Sequence, residues 1–133
     1  MKIKNKVLIS IEESDLVNGH FENNEIVEIS DDCFNYLKTL KSVRCNKVKK
    51  IGNFCFRRND SLTSVSLPLA ETFGNYCFSG NASITSVSLP LVKTFGNYCF
   101  RLNYSLTSVS LPLLKKTNAY NSDRFEELRK LIN

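Results

Sequence analysis

Apolar and small polar residues alternate over very short stretches in the middle of this chain, and each stretch ends in a turn. Val65 and Leu67 fall on one side of a short strand, with Ser64 and Ser66 on the other. Leu62 precedes them in a Leu-x-x-Leu-x-Leu spacing. Pro68 lacks a backbone donor and closes the strand. Phe73, Cys77 and Phe78 then return apolar groups to the interior from the opposite side, and Gly74-Asn75 supplies the bend between them.

The pattern copies itself. Leu62-Thr-Ser-Val-Ser-Leu-Pro-Leu returns from Ile84 and again from Leu106, and Thr72-Phe-Gly-Asn-Tyr-Cys-Phe returns from Thr94, always after 22 residues. A fixed period of this length predicts one unit stacked on copies of itself, each burying its apolar face against a neighbour. The grid extends backward with decay. Leu40 to Cys45 overlays Leu62 to Leu67, Ile51 to Phe56 overlays Phe73 to Phe78, and Ile29 to Phe34 keeps the second half of the unit. The expectation is about three full coils, a partial coil before them and a truncated one after. Asn59, Asn81 and Asn103 recur just after the Cys-Phe pair, where a stacked amide ladder would satisfy the backbone groups of a buried turn.

Both ends of an open stack must be covered. Upstream, Lys4 to Ile11 alternates like a strand and Val17 to Phe21 carries an Asn-Gly turn, so residues 1–25 are expected to form a β-hairpin lid. Residues 26–117 hold the repeats. Downstream, Asp123 to Glu126 fits a capping-box helix start, and Phe125, Leu128, Leu131 and Ile132 make one helical stripe, so 118–133 is expected to be a capping helix. The whole chain is then a single domain.

The run Phe73-Gly-Asn-Tyr-Cys-Phe-x-x-Asn81-x-Ser83-Ile-Thr-Ser-Val-Ser-Leu-Pro90 resembles the BspA-like leucine-rich repeats. Those repeats typically show Ile-Gly-x-x-Ala-Phe-x-x-Cys-x-x-Leu and a β-rich stretch ending in Pro. Here Cys stands in place of the Ala, and Asn59, Asn81 and Asn103 stand in place of the Cys. The resemblance covers roughly Glu25 to Leu114. It implies a leucine-rich-repeat solenoid, right-handed and curved, with a parallel sheet on its inner face. For function it implies adhesion or protein recognition.

Composition narrows the function classes. The 133 residues are 42% hydrophobic and 23% charged, which describes one ordinary globular domain. No apolar run reaches membrane-span length. The basic start is followed by an apolar run too short for a signal peptide, so a cytoplasmic location is expected. Of the five cysteines, Cys33, Cys55, Cys77 and Cys99 lie on the repeat grid and Cys45 lies off it. Their gaps do not match paired metal ligands, and His20 is the only histidine, so small buried side chains are expected. Neighbouring coils about 4.8 Å apart would permit a disulfide, but a cytoplasmic setting argues against one. A Gly-rich phosphate loop, a nucleophile elbow and a calcium loop are all missing from the sequence. No enzyme activity, cofactor, metal or small-molecule substrate is therefore expected.

The net charge of +5 conceals a division. Val7 to Leu37 carries eight acids and no Lys or Arg, while Lys38 to Arg58 carries eight bases and no acid. The outward row of the strands consists of Ser64, Ser66, Ser86, Ser88, Ser108 and Ser110, short side chains that let a partner approach closely at little entropic cost. One coil earlier the row becomes Ser42 and Arg44, with Lys41 in place of Thr63, flanked by Lys47, Lys49, Lys50, Arg57 and Arg58. These residues are the candidate partner-binding set. They suit an acidic protein surface, making the chain an adaptor or a small antagonist of a host protein. The alternatives are a nucleic-acid binder, an inhibitor of a nucleic-acid-processing machine, or a fragment of a surface adhesin array. Aromatic residues able to stack on bases are not interleaved among the lysines; Tyr36 and Phe54 are the nearest.

Overall fold

The computed structural model describes residues 1–114. Its strands are short: β1 (Lys2–Lys4), β2 (Val7–Ser10), β3 (His20–Glu22), β4 (Glu28–Ile29), β5 (Ser42–Arg44), β6 (Lys50–Ile51), β7 (Ser64–Ser66), β8 (Thr72–Phe73), β9 (Ser86–Ser88), β10 (Thr94–Phe95) and β11 (Ser108–Ser110). The single helical piece among the described residues is a 3-10 turn at Glu13–Asp15. The chain is a β-solenoid of about 5 turns.

The 22-residue period becomes physical register. In one wall Ser42 lies beside Ser64, and Ser86 beside Ser108, all parallel. A second wall pairs Glu28 with Lys50, Lys50 with Thr72, and Thr72 with Thr94, again parallel. Sequence reading anticipated the first wall. The two-residue strands of the second, where the chain was expected only to bend back, emerge from the structure. A third wall consists of turns that hydrogen-bond coil to coil through alternate residues: Phe54, Phe56 and Arg58 donate to the carbonyls of Asn75, Cys77 and Ser79, at 2.8 Å in each case. Each coil therefore satisfies its backbone through its neighbours, which is why short strands suffice.

The core between the walls is a set of ladders. Phe34, Phe56, Phe78 and Phe100 stack with ring centres 5.2, 5.4 and 5.8 Å apart and nearly parallel planes. Phe73 and Phe95 stack at 4.8 Å, continuing the buried column begun by Ile29 and Ile51. Leu40, Leu62, Ile84 and Leu106 are buried in line, as are Cys45, Leu67, Leu89 and Leu111.

The N-terminus differs from the expected lid. An antiparallel hairpin does form, but between β1 and β2, with its turn at Asn5 and Lys6, both left-handed (φ 52° and 63°). The Asn18-Gly19 turn closes a single antiparallel bridge between Val17 and His20. After it, β3 joins β5 in parallel, and β2 likewise joins β4 in parallel. Residues 7–25 thus contribute rungs to the stack rather than a separate hairpin. The reason is that Leu8 and Phe21, both buried, occupy the core positions of an additional coil. The expected helix over 118–133 lies outside the described residues.

Candidate interaction surface

The wall built from β3, β5, β7, β9 and β11 carries the serine row. Ser64, Ser66, Ser86, Ser88 and Ser108 are exposed and Ser110 is half-buried. Their strand partners Val43, Val87 and Val109 face the core. Val65 is only half-buried, and this wall is interrupted beside it: β3-β5-β7 and β9-β11 form separate hydrogen-bonded sheets. Thr63 and Thr107 turn their hydroxyls back to donate to the carbonyls of Lys41 (3.3 Å) and Thr85 (3.2 Å). The outer surface is thus made of short side chains in register, with the two threonine hydroxyls committed to carbonyls of the preceding coil.

At the N-terminal end of this wall the chemistry changes. His20 Nδ1 lies 2.5 Å from Ser42 Oγ, one coil away. Arg44 Nε approaches Glu22 Oε1 at 4.0 Å, both side chains mostly exposed. Lys41 is exposed, and its backbone N–H donates to Gly19 O at 2.7 Å. Gly19 (φ 84°) is required here, since a Cβ would lie 2.6 Å from Thr39 O and 2.9 Å from Lys41 Cγ.

Of the seven basic candidates, Lys41 and Arg44 share the wall with the serines. Lys47 is exposed in the turn between the first and second walls, and Lys49 and Lys50 are exposed at the second wall. There Lys50 Nζ pairs with Glu28 Oε1 at 3.5 Å. Arg57 and Arg58 lie in the third wall. A coil of 22 residues wraps the core once, so bases ten residues apart in sequence emerge on different sides. Two members of the acidic segment, Glu22 and Glu28, meet two members of the basic one through the ladder register.

The third wall also holds an aromatic column that sequence reading did not assemble. Phe54, Tyr76 and Tyr98 stack at 5.2 Å per step. The Arg57 guanidinium lies over Phe54 (4.7 Å) and over Tyr36 (5.1 Å). The available signal was the period itself: 54, 76 and 98 are grid-related, and 36 stands one coil behind 57 and 58.

The five thiols are free and buried. Cys55 donates to Ser30 O at 3.0 Å, and Cys77 to Gly52 O at 2.9 Å, so the grid cysteines act as small side chains that also satisfy carbonyls of the preceding coil. Burial pushes the Cys33 thiol up to about 11 and the Cys45 thiol up to about 12. Thiols held protonated in this way are poor nucleophiles. Among the described residues no group of three His, Cys, Asp or Glu side chains could hold a metal ion, and no helix is long and apolar enough to cross a membrane.

The family model for the BspA type leucine rich repeat region matches residues 11–132, in 6 copies. No curated protein and no solved structure matches the chain. With nearly the whole length matched and the ladder register following the period, the chain belongs to the BspA-type leucine-rich-repeat family.

Proposed function

We propose that the chain is a non-catalytic protein-recognition module of the cytoplasm, an adaptor or small antagonist that docks a partner on its serine-bearing wall. The observation that carries this reading is the row from Ser64 to Ser110, a surface of short hydroxyl side chains in register. Such a wall lets a partner's backbone or flat surface approach closely, with little side-chain entropy to lose. Repeats of this family commonly mediate protein interaction, which supports the reading. His20, Lys41 and Arg44 stand at one end, with Glu22 as the opposing charge. They would set the orientation and on-rate of a partner with an acidic rim. The aromatic column offers little to nucleic-acid binding, because both faces of Tyr76 and one face each of Phe54 and Tyr98 are taken by ring stacking within it.

The test is affinity capture from the source cell with three baits: the natural chain, a Ser66→Arg/Ser88→Arg variant, and Thr72→Arg on the second wall as control. The expected result is a partner retained by the natural chain and the control and depleted by the double variant. Identical captures with all three baits would remove the serine wall from the account.

A further inference from the structure

The strongest unassigned feature is where two arginines converge on one tyrosine in the third wall. The Arg57 guanidinium lies over both the Tyr36 ring (5.1 Å) and the Phe54 ring (4.7 Å), and its Nε donates to Asn35 Oδ1 at 3.3 Å. The guanidinium of Arg58 reaches the same Tyr36 ring at 5.6 Å. Its stem passes over Gly80, where an added Cβ would meet Arg58 Cγ at 2.9 Å, so the glycine makes room for it. Among the described residues the ion pairs are Met1 with Asp15, Arg44 with Glu22, and Lys50 with Glu28. Neither Arg57 nor Arg58 has a carboxylate within pairing distance there. Asp32 is linked to the cluster through Asn35, whose Nδ2 donates to its Oδ1 at 3.2 Å.

We propose that Arg57 and Arg58, gathered on Tyr36, form a carboxylate-binding site for an acidic peptide segment of a partner protein. A guanidinium that lies over two rings and donates to an amide oxygen is restrained before any ligand arrives. Its remaining N–H groups match the two oxygens of a carboxylate, and little side-chain freedom is lost on binding. A second guanidinium on the same ring adds attraction and suits consecutive acidic side chains. Tyr36 is 46% exposed and supplies apolar area beside the charges for the peptide's methylene groups. One observation favours peptide over nucleic acid: the Phe54 ring stacks on Tyr76 and carries the Arg57 guanidinium, which leaves it little face for a base. Arg44 and Lys50, by contrast, already have partners within the chain. This inference rests on the protein-recognition reading but uses a different wall, so the two can fail separately.

The experiment is fluorescence anisotropy on the full chain with a fluorescein-labelled octaglutamate peptide, alongside an oligothymidylate of equal charge. Both are run at about 50 and about 150 mM salt, which bracket moderate to physiological screening. The expected result is peptide binding that Arg57→Lys weakens at least about fivefold although the net charge is unchanged, because lysine cannot stack as a planar fork. Arg58→Ala should weaken it further. Lys2→Gln/Lys4→Gln, which removes two exposed charges on β1, should change it less than about twofold. Tyr36→Leu provides a second route to the same loss should Arg57→Lys fail to fold. The proposal is overturned by absent peptide binding at the lower salt, by Arg57→Lys and Tyr36→Leu binding as the natural chain does, by an equal loss in the Lys2/Lys4 variant, or by tighter oligothymidylate binding with the same sensitivity. The protein-recognition reading is judged separately by the serine-wall captures, in which Arg57 is left intact.

Discussion

The side-chain oxygen of Asn53 accepts the backbone N–H of Asn75, one coil further on, at 2.8 Å. The same bond joins Asp31 to Asn53 and Asn75 to Asn97, each at 2.7 Å. It ties the coils together at the corner where the chain leaves the second wall, beyond the last strand residue. Gly74 sits against this corner, where a Cβ would lie 2.8 Å from Asn53 N and collide with its Oδ1. Gly52 and Gly96 stand in the same relation to Asp31 and Asn75. The glycine is there for closeness, since the left-handed residues of the bend come later, at Phe54, Tyr76 and Tyr98 (φ 57° to 58°).

Gly74→Ala should therefore destabilise the protein by about 1–3 kcal/mol, the usual cost of forcing a methyl into filled space. Asn75→Ala, which removes one acceptor at an exposed corner, should cost about 1 kcal/mol or less. Urea denaturation followed by circular dichroism measures both. A Gly74→Ala midpoint equal to that of the natural chain would mean that the corner yields without strain.

Asn81 is fully buried, and its Nδ2 donates to Phe56 O and Phe78 O, each at 2.7 Å. It thereby links two coils from inside the third wall. Asn81→Leu keeps the heavy-atom outline but leaves the buried carbonyl of Phe56 without its donor, at about 1–3 kcal/mol, while Phe78 O keeps the Nδ2 of Asn103 at 2.7 Å. The loss should exceed that from Asn75→Ala by a clear margin. Comparable urea midpoints for the two variants would show that the buried amide contributes no more than the exposed one.

The stacking was legible in the sequence because it depends on identity at a fixed spacing. Once Phe56, Phe78 and Phe100 recur every 22 residues, an in-register column follows. The structural role expected of Asn81 was legible for the same reason, since a polar residue held on an apolar grid needs a backbone partner. The N-terminal coil was less so. Leu8 and Phe21 fill core positions, but β2 pairs with β4 at a 21-residue offset and the local motif has decayed, while Asn18-Gly19 gives a strong turn signal that points to a hairpin. The sides taken by the basic residues were not legible at all. Lys41, Lys50 and Arg57 are close in sequence and lie on three walls because the coil turns corners between them, and corner angles leave no trace in hydrophobic periodicity. The clustering of Tyr36, Arg57 and Arg58 was hidden in the same way, in contacts between coils at positions where the repeat is imperfect.

The buried thiols make stability depend on alkaline pH. Burial pushes Cys33 up to about 11 and Cys45 up to about 12, and pushes Cys55 well above the ordinary thiol range; Cys77 is raised too, while Cys99, hydrogen-bonded to it, is lowered and offsets part of that contribution. An unfolded thiol ionises near about 8.5. Above that pH the unfolded chain releases protons that the folded chain keeps, which favours unfolding. This part of the stability is whole below about pH 8.5 and is lost as pH rises toward the folded values. The urea midpoint should be flat from pH 7 to 8 and fall by pH 10. Cys45→Ala should fall less steeply, because one of the contributing thiols is gone. Parallel pH profiles for the two proteins would show that Cys45 ionises as easily folded as unfolded.

Glu28 and Lys50 join the acidic and basic segments across one ladder step, 3.5 Å apart with the lysine mostly exposed. Exposed pairs of this kind gain little, because water screens the attraction and two long side chains must be ordered. Glu28→Gln should change stability by less than about 0.5 kcal/mol, and by less still at high salt. Its larger effect should be on the surface field: with Glu28 neutralised, Lys50 is released and the positive potential on the second wall grows. Octaglutamate binding should then tighten in Glu28→Gln at low salt and return to the natural value when salt is raised, without any change in its sensitivity to Arg57→Lys. Tightening that survives high salt, or that abolishes the Arg57→Lys effect, would mean that the peptide had moved to the second wall and that the Glu28 pair, rather than the third-wall arginines, decides where acidic partners land.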